Sequence, residues 1–305
     1  MRTIVLNQTN VVDDGQNNKL VYRFPNSVQF KNHYLAVQSV TMFYSWYNIS
    51  STFGNNTFSY QYPSAGVITT FTVVIPDGIY NIPALNAYFQ FVSVQNGTYM
   101  TTVAGQYVYF AEFAVNANLY AIELTCYTIP SAGVNPNAYI ASALGFATAP
   151  TTLVMTIPTA LCDIIGFPRP AETGNGLAWV SNNWYGTGTS SGTWKGAPYL
   201  YNSTTKIASY TSYRSPQVNQ NASIYIACNI INNPYSIPSS IIYAITPSAG
   251  IGGIIKDQTP EFAFNKLIDG TYNELVISIL GTNGSLLAIE DPNITILLVI
   301  KDGKD

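Results

Sequence analysis

Runs of apolar, strand-forming residues recur along much of this chain, with polar turn segments between them. Near the end, Glu274 to Leu280 (ELVISIL) and Ile294 to Lys301 (ITILLVIK) carry the pattern; near the start, Tyr34 to Tyr47 (YLAVQSVTMFYSWY) does so. Ser223 to Ile231 and Ile241 to Ile245 add two more runs, and Thr70 to Ile75, Tyr107 to Val115 and Tyr120 to Thr128 extend it through the middle. These runs favour β-branched and aromatic residues, whose side chains fit a pleated surface. Turn chemistry separates them. Asp269-Gly270 and Asn283-Gly284 offer the positive-φ positions of tight turns, and Pro292 leads into the last strand. Many short strands at intervals of about ten residues predict an all-β antiparallel sandwich or barrel. One segment breaks the pattern. After Pro76-Asp77-Gly78, Asn81 is placed to cap a helix with Pro83 in its first turn. Ile82, Leu85, Phe89 and Val92 then recur at helical spacing as far as Asn96-Gly97. This is the single helix that the pattern predicts.

The 305 residues hold 12 basic and 15 acidic side chains, so 9% are charged against 47% apolar, with 23 tyrosines. A chain this apolar buries enough surface to offset its ordering entropy, which excludes disorder. A net charge of −3 supplies no basic footprint, so no specific nucleic-acid binding is expected. The charges are unevenly spread: residues 1–31 hold six and residues 256–305 hold twelve. Two ends of similar composition around a neutral, aromatic middle predict one domain built from both termini, with a module inserted between them. Insertions into surface loops cost little. A composition gradient within a single fold is the alternative. Ile4 to Leu6 is too short for the apolar core of a signal peptide, and no run approaches the ~18 apolar residues of a membrane helix, so no membrane span is expected.

Candidate chemistry is sparse. Cys126, Cys162 and Cys228 sit far apart in apolar segments and read as buried thiols. His33 is the sole histidine, so neither a zinc site of ordinary type nor a Ser-His-Asp triad is expected, and no cofactor is implied. Asp13-Asp14-Gly15 lacks the spacing of a calcium loop and reads as a solvated turn. Gly250, Gly252 and Gly253 lack the lysine and following helix of a phosphate cradle. Glu112 and Glu123, on neighbouring predicted strands, are placed to meet across a cleft as a glycosidase pair, but their apolar surroundings favour a structural role, so no enzyme is expected. Residues 171–215 are rich in Gly, Ser, Thr and Asn and carry Trp179, Trp184, Tyr185 and Trp194. Rings interleaved with small polar residues describe ordered loops, either pinned onto a sheet or presented as a recognition surface.

Asn273 to Lys301 (NELVISILGTNGSLLAIEDPNITILLVIK) runs strand, Asn-Gly turn, acidic-Pro turn, last strand, and Ile75-Pro-Asp-Gly-Ile-Tyr80 precedes the predicted helix. With Ile165-Gly-Phe-Pro168, these segments resemble penton proteins, the minor capsid proteins at the vertices of virophages and Polinton-Maverick-like viruses, those of Mavirus-like virophages most of all. The resemblance implies a single eight-stranded jelly roll over residues 1–50 plus 216–305, interrupted by an inserted β-rich domain over 51–215. It further implies a structural protein of the virion, assembled inside the host cell, in its cytoplasm: a homopentamer at fivefold vertices of an icosahedral double-stranded DNA virus. Major capsid subunits would be its neighbours, and the outward-facing insert would meet a host-surface glycan or protein. No catalytic, cofactor or metal residues are implied. The alternative is a carbohydrate-binding or host-attachment β-sandwich that uses the Trp-rich loops 179–194.

Overall fold

The computed structural model describes the chain apart from positions 13, 65, 168–177, 182–193, 197–199, 202–206, 213–214, 217, 219–220, 251 and 304–305. The chain forms two compact units, one from Met1–Tyr47 with Asn219–Asp305 and the other from Asn48–Val218.

In the first unit, one antiparallel sheet runs Arg2–Leu6, Thr295–Asp302, His33–Phe43, Ile254–Gln258, with Asn265–Lys266 also paired to His33–Phe43. The other runs Ile241–Ile245, Ile224–Cys228, Gly270–Leu280, Lys19–Phe30. Taking these main strands in chain order, the first pairs with the last, the second with the seventh, the third with the sixth and the fourth with the fifth. That is one long hairpin rolled on itself, a jelly roll. The second unit is spliced between the third and fourth strands.

Alternation explains the core. Ile296, Leu298 and Ile300 point inward from one sheet, and Leu275, Ile277 and Ile279 with Ile224 and Ile226 point inward from the other. Each such side chain contributes roughly 1.5–3 kcal/mol on burial. In His33–Phe43 the inward set is Leu35 and Val37, then Val40 and Met42, a slip of one residue. The register shows why: Val37 faces Leu298 while Ser39 faces Leu297, so Gln38 is extra. A one-residue bulge reverses the pleat and keeps both apolar sets on the core. A wider irregularity accommodates Pro25, between Arg23, opposite Glu274, and Val28, opposite Tyr272. A proline without an N–H sits at little cost there.

Two local expectations need correction. Asn283-Gly284 forms its turn with Gly284 at φ 78, but Gly270 opens a strand instead. The left-handed residue of that corner is Asn32 at φ 56, whose N–H donates to Asp269 Oδ1 at 3.0 Å. The second correction is a second helix, Thr159–Ile165, which buries Leu161, Cys162, Ile164 and Ile165 and ends at Gly166 with φ 75. Its seven residues are too few to display a helical period. Pro158 before it and Gly166 after it are the sequence signals that mark it.

The second unit has a five-stranded sheet ordered Trp194–Gly196, Ala178–Ser181, Val154–Pro158, Thr57–Ser64, Val67–Val74. A four-stranded sheet runs Leu200–Tyr201, Ala208–Thr211, Ala121–Cys126, Ala111–Asn116. Phe58, Tyr60 and Tyr62 alternate inward, and the first two meet helix Ile82–Gln95 through Phe89, which lies 6.0 Å from Phe58 and 5.5 Å from Tyr60 between ring centroids. Asn81 caps that helix, accepting from the Ala84 N–H at 2.8 Å. Ile82, Leu85 and Phe89 are buried as expected, while Val92 is only half-buried at the rim. Ser93 takes the inner position, with its hydroxyl satisfied by the Phe89 carbonyl at 2.9 Å.

The ends of this unit are fastened by one side chain. Asn48 Nδ2 donates to the carbonyls of Tyr80, at 2.8 Å, and Val218, at 2.9 Å, while its Oδ1 accepts the Tyr80 N–H at 2.9 Å. Asn55 Nδ2 in turn donates to the Asn48 carbonyl at 2.8 Å. Ile49 and Gly78 exchange backbone bonds beside it. Asp77 closes the corner: the N–H and hydroxyl of Ser51, with help from the Ser50 hydroxyl, hold its carboxyl below the usual carboxylate range. The Pro-Asp-Gly segment thus anchors the first residues of the unit.

Because Asn48 reaches Val218 directly, the chain enters and leaves this unit side by side. Replacing residues 48–218 by a short Gly/Ser linker is expected to leave a β-rich product that melts in one cooperative transition by circular dichroism. Asn48→Ala leaves part-buried backbone groups of Tyr80 and Val218 without this partner and is expected to destabilise the second unit by about 1–2 kcal/mol in urea titration.

Candidate functional site

Strands Ala111–Asn116 and Ala121–Cys126 pair with Glu112 opposite Thr125 and Ala114 opposite Glu123. The two carboxylates therefore lie on one face of the sheet, offset by one pair. Glu123 accepts from Asn116 Nδ2 at 3.2 Å and from the Thr125 hydroxyl at 3.3 Å. Glu112 accepts from the Tyr127 hydroxyl at 2.8 Å and lines a cavity of about 880 Å3 that Glu123 does not line.

Three tyrosines, Tyr109, Tyr127 and Tyr139, share this cavity with Glu112, Gln90 and Asn137. Burial, then the Glu112 carboxylate as hydrogen-bond acceptor and negative neighbour, pushes the Tyr127 hydroxyl up to about 12. Tyr139 is held at both ends. Asn135 brackets its backbone, donating to its carbonyl at 2.8 Å and accepting its N–H at 3.0 Å, and Asn137 Nδ2 donates to its hydroxyl at 3.1 Å. Tyr109 stacks with Tyr107, centroids 6.3 Å apart, and Tyr107 meets Tyr99 edge-on at 5.1 Å. The arrangement offers a carboxylate, amides and fixed ring faces, which suit reversible binding. Sequence reading weighed Glu112 as an acid and missed the cavity, because Tyr127 and Tyr139 join it only through the loop after the strand.

Of the recognition residues expected from sequence, Trp179 and Trp194 lie on strands Ala178–Ser181 and Trp194–Gly196, where they are register partners in a parallel pair. They are strand and not loop residues. Trp184 and Tyr185 lie outside the described residues. His33 opens its strand, with Nδ1 2.9 Å from the Lys31 carbonyl and its ring edge-on to Phe30 at 5.4 Å. All three cysteines are buried, and burial pushes the thiols of Cys126 and Cys228 up to about 12. Asp14 accepts the Gln16 N–H at 3.1 Å in a turn, and Asp13 lies outside the described residues. Among the described residues, no three His, Cys, Asp or Glu side chains gather as a metal site.

A second feature sits on the jelly-roll unit, in the loop from strand Ile224–Cys228 to strand Ile241–Ile245. Asn233 fixes its backbone: Oδ1 accepts the Tyr235 N–H at 3.0 Å, Nδ2 donates to the Ile241 carbonyl at 3.1 Å, and its own N–H donates to the Ser239 carbonyl at 2.6 Å. On this braced loop Tyr235 is 95% exposed and Ile237 98% exposed. The signal in the sequence is Asn233-Pro-Tyr-Ser-Ile-Pro238, two large apolar residues set between prolines in a turn.

No protein-family model matches this chain, and no curated protein matches it. Among solved structures, the chain is similar to the mavirus penton protein. The two share 10% identity over 98% of this chain and 97% of that one, with a TM-score of 0.45. It is also similar to a chain in the structure of the Sputnik virophage, at 11% identity over 100% of this chain and 99% of that one, with a TM-score of 0.38.

Glu112→Gln removes the charge beside Tyr127 but leaves its burial. Tyr127 is then expected to titrate below about 12 yet above the ordinary 10.0, as read by carbon-13 NMR of labelled tyrosine rings.

Proposed function

We propose that this protein is a structural subunit of a viral capsid, a penton of which five copies close a ring at each fivefold vertex of an icosahedral double-stranded DNA virus. The observation that carries this reading is the braced loop that holds Tyr235 and Ile237 in water on a jelly-roll unit. A loop whose backbone is already hydrogen-bonded loses little entropy when its apolar side chains are covered, so it is prepared for a partner surface. A fivefold ring needs two different complementary flanks on each subunit. Here Val5 and Ile254, both about half exposed, sit on the two opposite edge strands of one sheet. A surface poor in charge also suits interfaces whose centres are depleted of charged residues.

The sequence resemblance of residues 273–301, 75–80 and 165–168 to penton proteins supplies the specificity. In this reading the jelly-roll flanks bind one another, and rims and termini meet neighbouring major capsid subunits in the virion, assembled in the host cytoplasm. The second unit projects outward, with Trp179, Trp184, Tyr185 and Trp194 as a recognition surface for a host-surface glycan or protein. The role is geometric and involves no catalysis.

Native mass spectrometry and sedimentation of the full chain at high concentration test it, with a five-copy species as the expected result. Tyr235→Ser with Ile237→Ser is expected to shift that species towards monomer while leaving the melting temperature of the dilute monomer within a degree or two, because neither side chain is packed in the subunit. A chain that stays monomeric at all concentrations and never joins a particle would overturn the reading.

A further inference from the structure

The cavity beside Glu112 has the size, walls and fixed polar groups of a ligand site, and the structural role above makes no use of it. We propose that it binds a neutral saccharide. Its volume of about 880 Å3 lies in the ~300–1,000 Å3 range of small-molecule sites. A pyranose presents C–H faces and a rim of hydroxyls, each of which both donates and accepts. The walls match both halves. Tyr109, Tyr127 and Tyr139 supply ring surface that buries C–H faces at little cost in side-chain freedom, and Pro130, Pro136 and Pro150 add rigid apolar wall.

The polar groups are few and positioned. A carboxylate offers about four acceptor sites, and Tyr127 uses one of them on Glu112. The remaining sites are able to take a pair of sugar hydroxyls through charge-assisted bonds. Gln90 and Asn137 bring amides, groups that donate and accept as hydroxyls do. Tyr127 holds Glu112 and Asn137 holds Tyr139 before any ligand arrives, so little ordering remains to be done on binding.

Charge narrows the class. Among the described residues of the lining, Glu112 is the one Asp, Glu, Lys, Arg or His. A sialylated, uronic or sulfated sugar would bring a second negative charge beside a partly buried carboxylate, which is repulsive in a low-dielectric site. A basic peptide would pair with Glu112 through its charge, but it lacks the ring of hydroxyls, each both donor and acceptor, that the carboxylate and the amides of Gln90 and Asn137 together address. A neutral saccharide uses both kinds of group. The inference stands on the cavity alone and holds whether the protein is a ring or a single chain.

The test uses the full chain on an array of neutral and acidic glycans, followed by calorimetry with the neutral oligosaccharides retained. Binding to a neutral glycan is expected, with sialylated or sulfated counterparts of the same core at least tenfold weaker. Glu112→Gln keeps the shape and removes the charge-assisted acceptor, and is expected to weaken binding about tenfold. Asn137→Ala, at an exposed loop position, is expected to weaken binding without changing the melting temperature, so a folding defect is told apart from loss of a contact. Binding to no neutral glycan, preference for acidic glycans, capture of a lysine-rich peptide in their place, or glycan binding unchanged in both variants would each overturn the proposal. The last outcome would assign the contact to another surface, while ring formation by the same sample would leave the penton reading intact.

Discussion

Pairing of the first strand with the last holds the jelly-roll unit together. Ile4 lies opposite Leu298 and Leu6 opposite Ile296, so the two ends of the chain contribute neighbouring side chains to one core. Each inner pair of strands continues this pairing in the rolled hairpin, and the buried aliphatic rows from both sheets meet in one core. Contacts of such sequence separation carry a loop-closure cost, but that cost grows only with the logarithm of loop length. A connection between the third and fourth strands can therefore be lengthened into a whole unit without dismantling the parent core. The condition is that the inserted chain returns to where it left, and the Asn48 contact with Val218 meets it within the second unit.

Asparagine does much of the fastening in a protein with so few charges. Asn48 and Asn55 tie the start of the second unit, Asn233 braces the exposed loop, Asn135 and Asn137 set Tyr139, and Asn17 Nδ2 reaches the Ile289 carbonyl at 2.7 Å. One ion pair among the described residues is Arg23 with Glu274 at 3.9 Å, both well exposed. Exposed pairs of this kind contribute little, whereas a side-chain amide that satisfies buried backbone groups protects against the full cost of leaving them unpaired. Loops held this way stay ordered without a covering layer, which leaves their apolar side chains and rings available to other molecules.

The recognition features share that logic. The Tyr235–Ile237 loop and the Glu112 cavity each combine a backbone or side chain already committed to internal hydrogen bonds with apolar surface that nothing in the same unit covers. One is convex and lies on the jelly-roll unit, suited to a flat partner. The other is concave and lies on the inserted unit, suited to a small one.

Several strands were legible from their runs of β-branched and aromatic residues, whereas Arg2–Leu6, Lys19–Phe30, Thr57–Ser64, Val154–Pro158 and Ile254–Gln258 were not. Ile241–Ile245 is a strand over the residues expected, and Thr295–Asp302 and Gly270–Leu280 differ from expectation only at their ends. The capped helix was equally plain, because Asn81, Pro83 and Gly97 mark it chemically and not only by period. Local stereochemistry and side-chain period are properties of neighbouring residues, so the chain itself determines them. Four things were settled only in three dimensions: the bulge at Gln38 that reverses the pleat of its strand, the corner where Asn32 and not Gly270 turns left-handed, the cavity that takes in Glu112 and leaves out Glu123, and the meeting of Tyr127 and Tyr139 in that cavity. Each depends on which residue of a distant strand or loop lies opposite, and register of that kind is chosen by the packing of whole sheets.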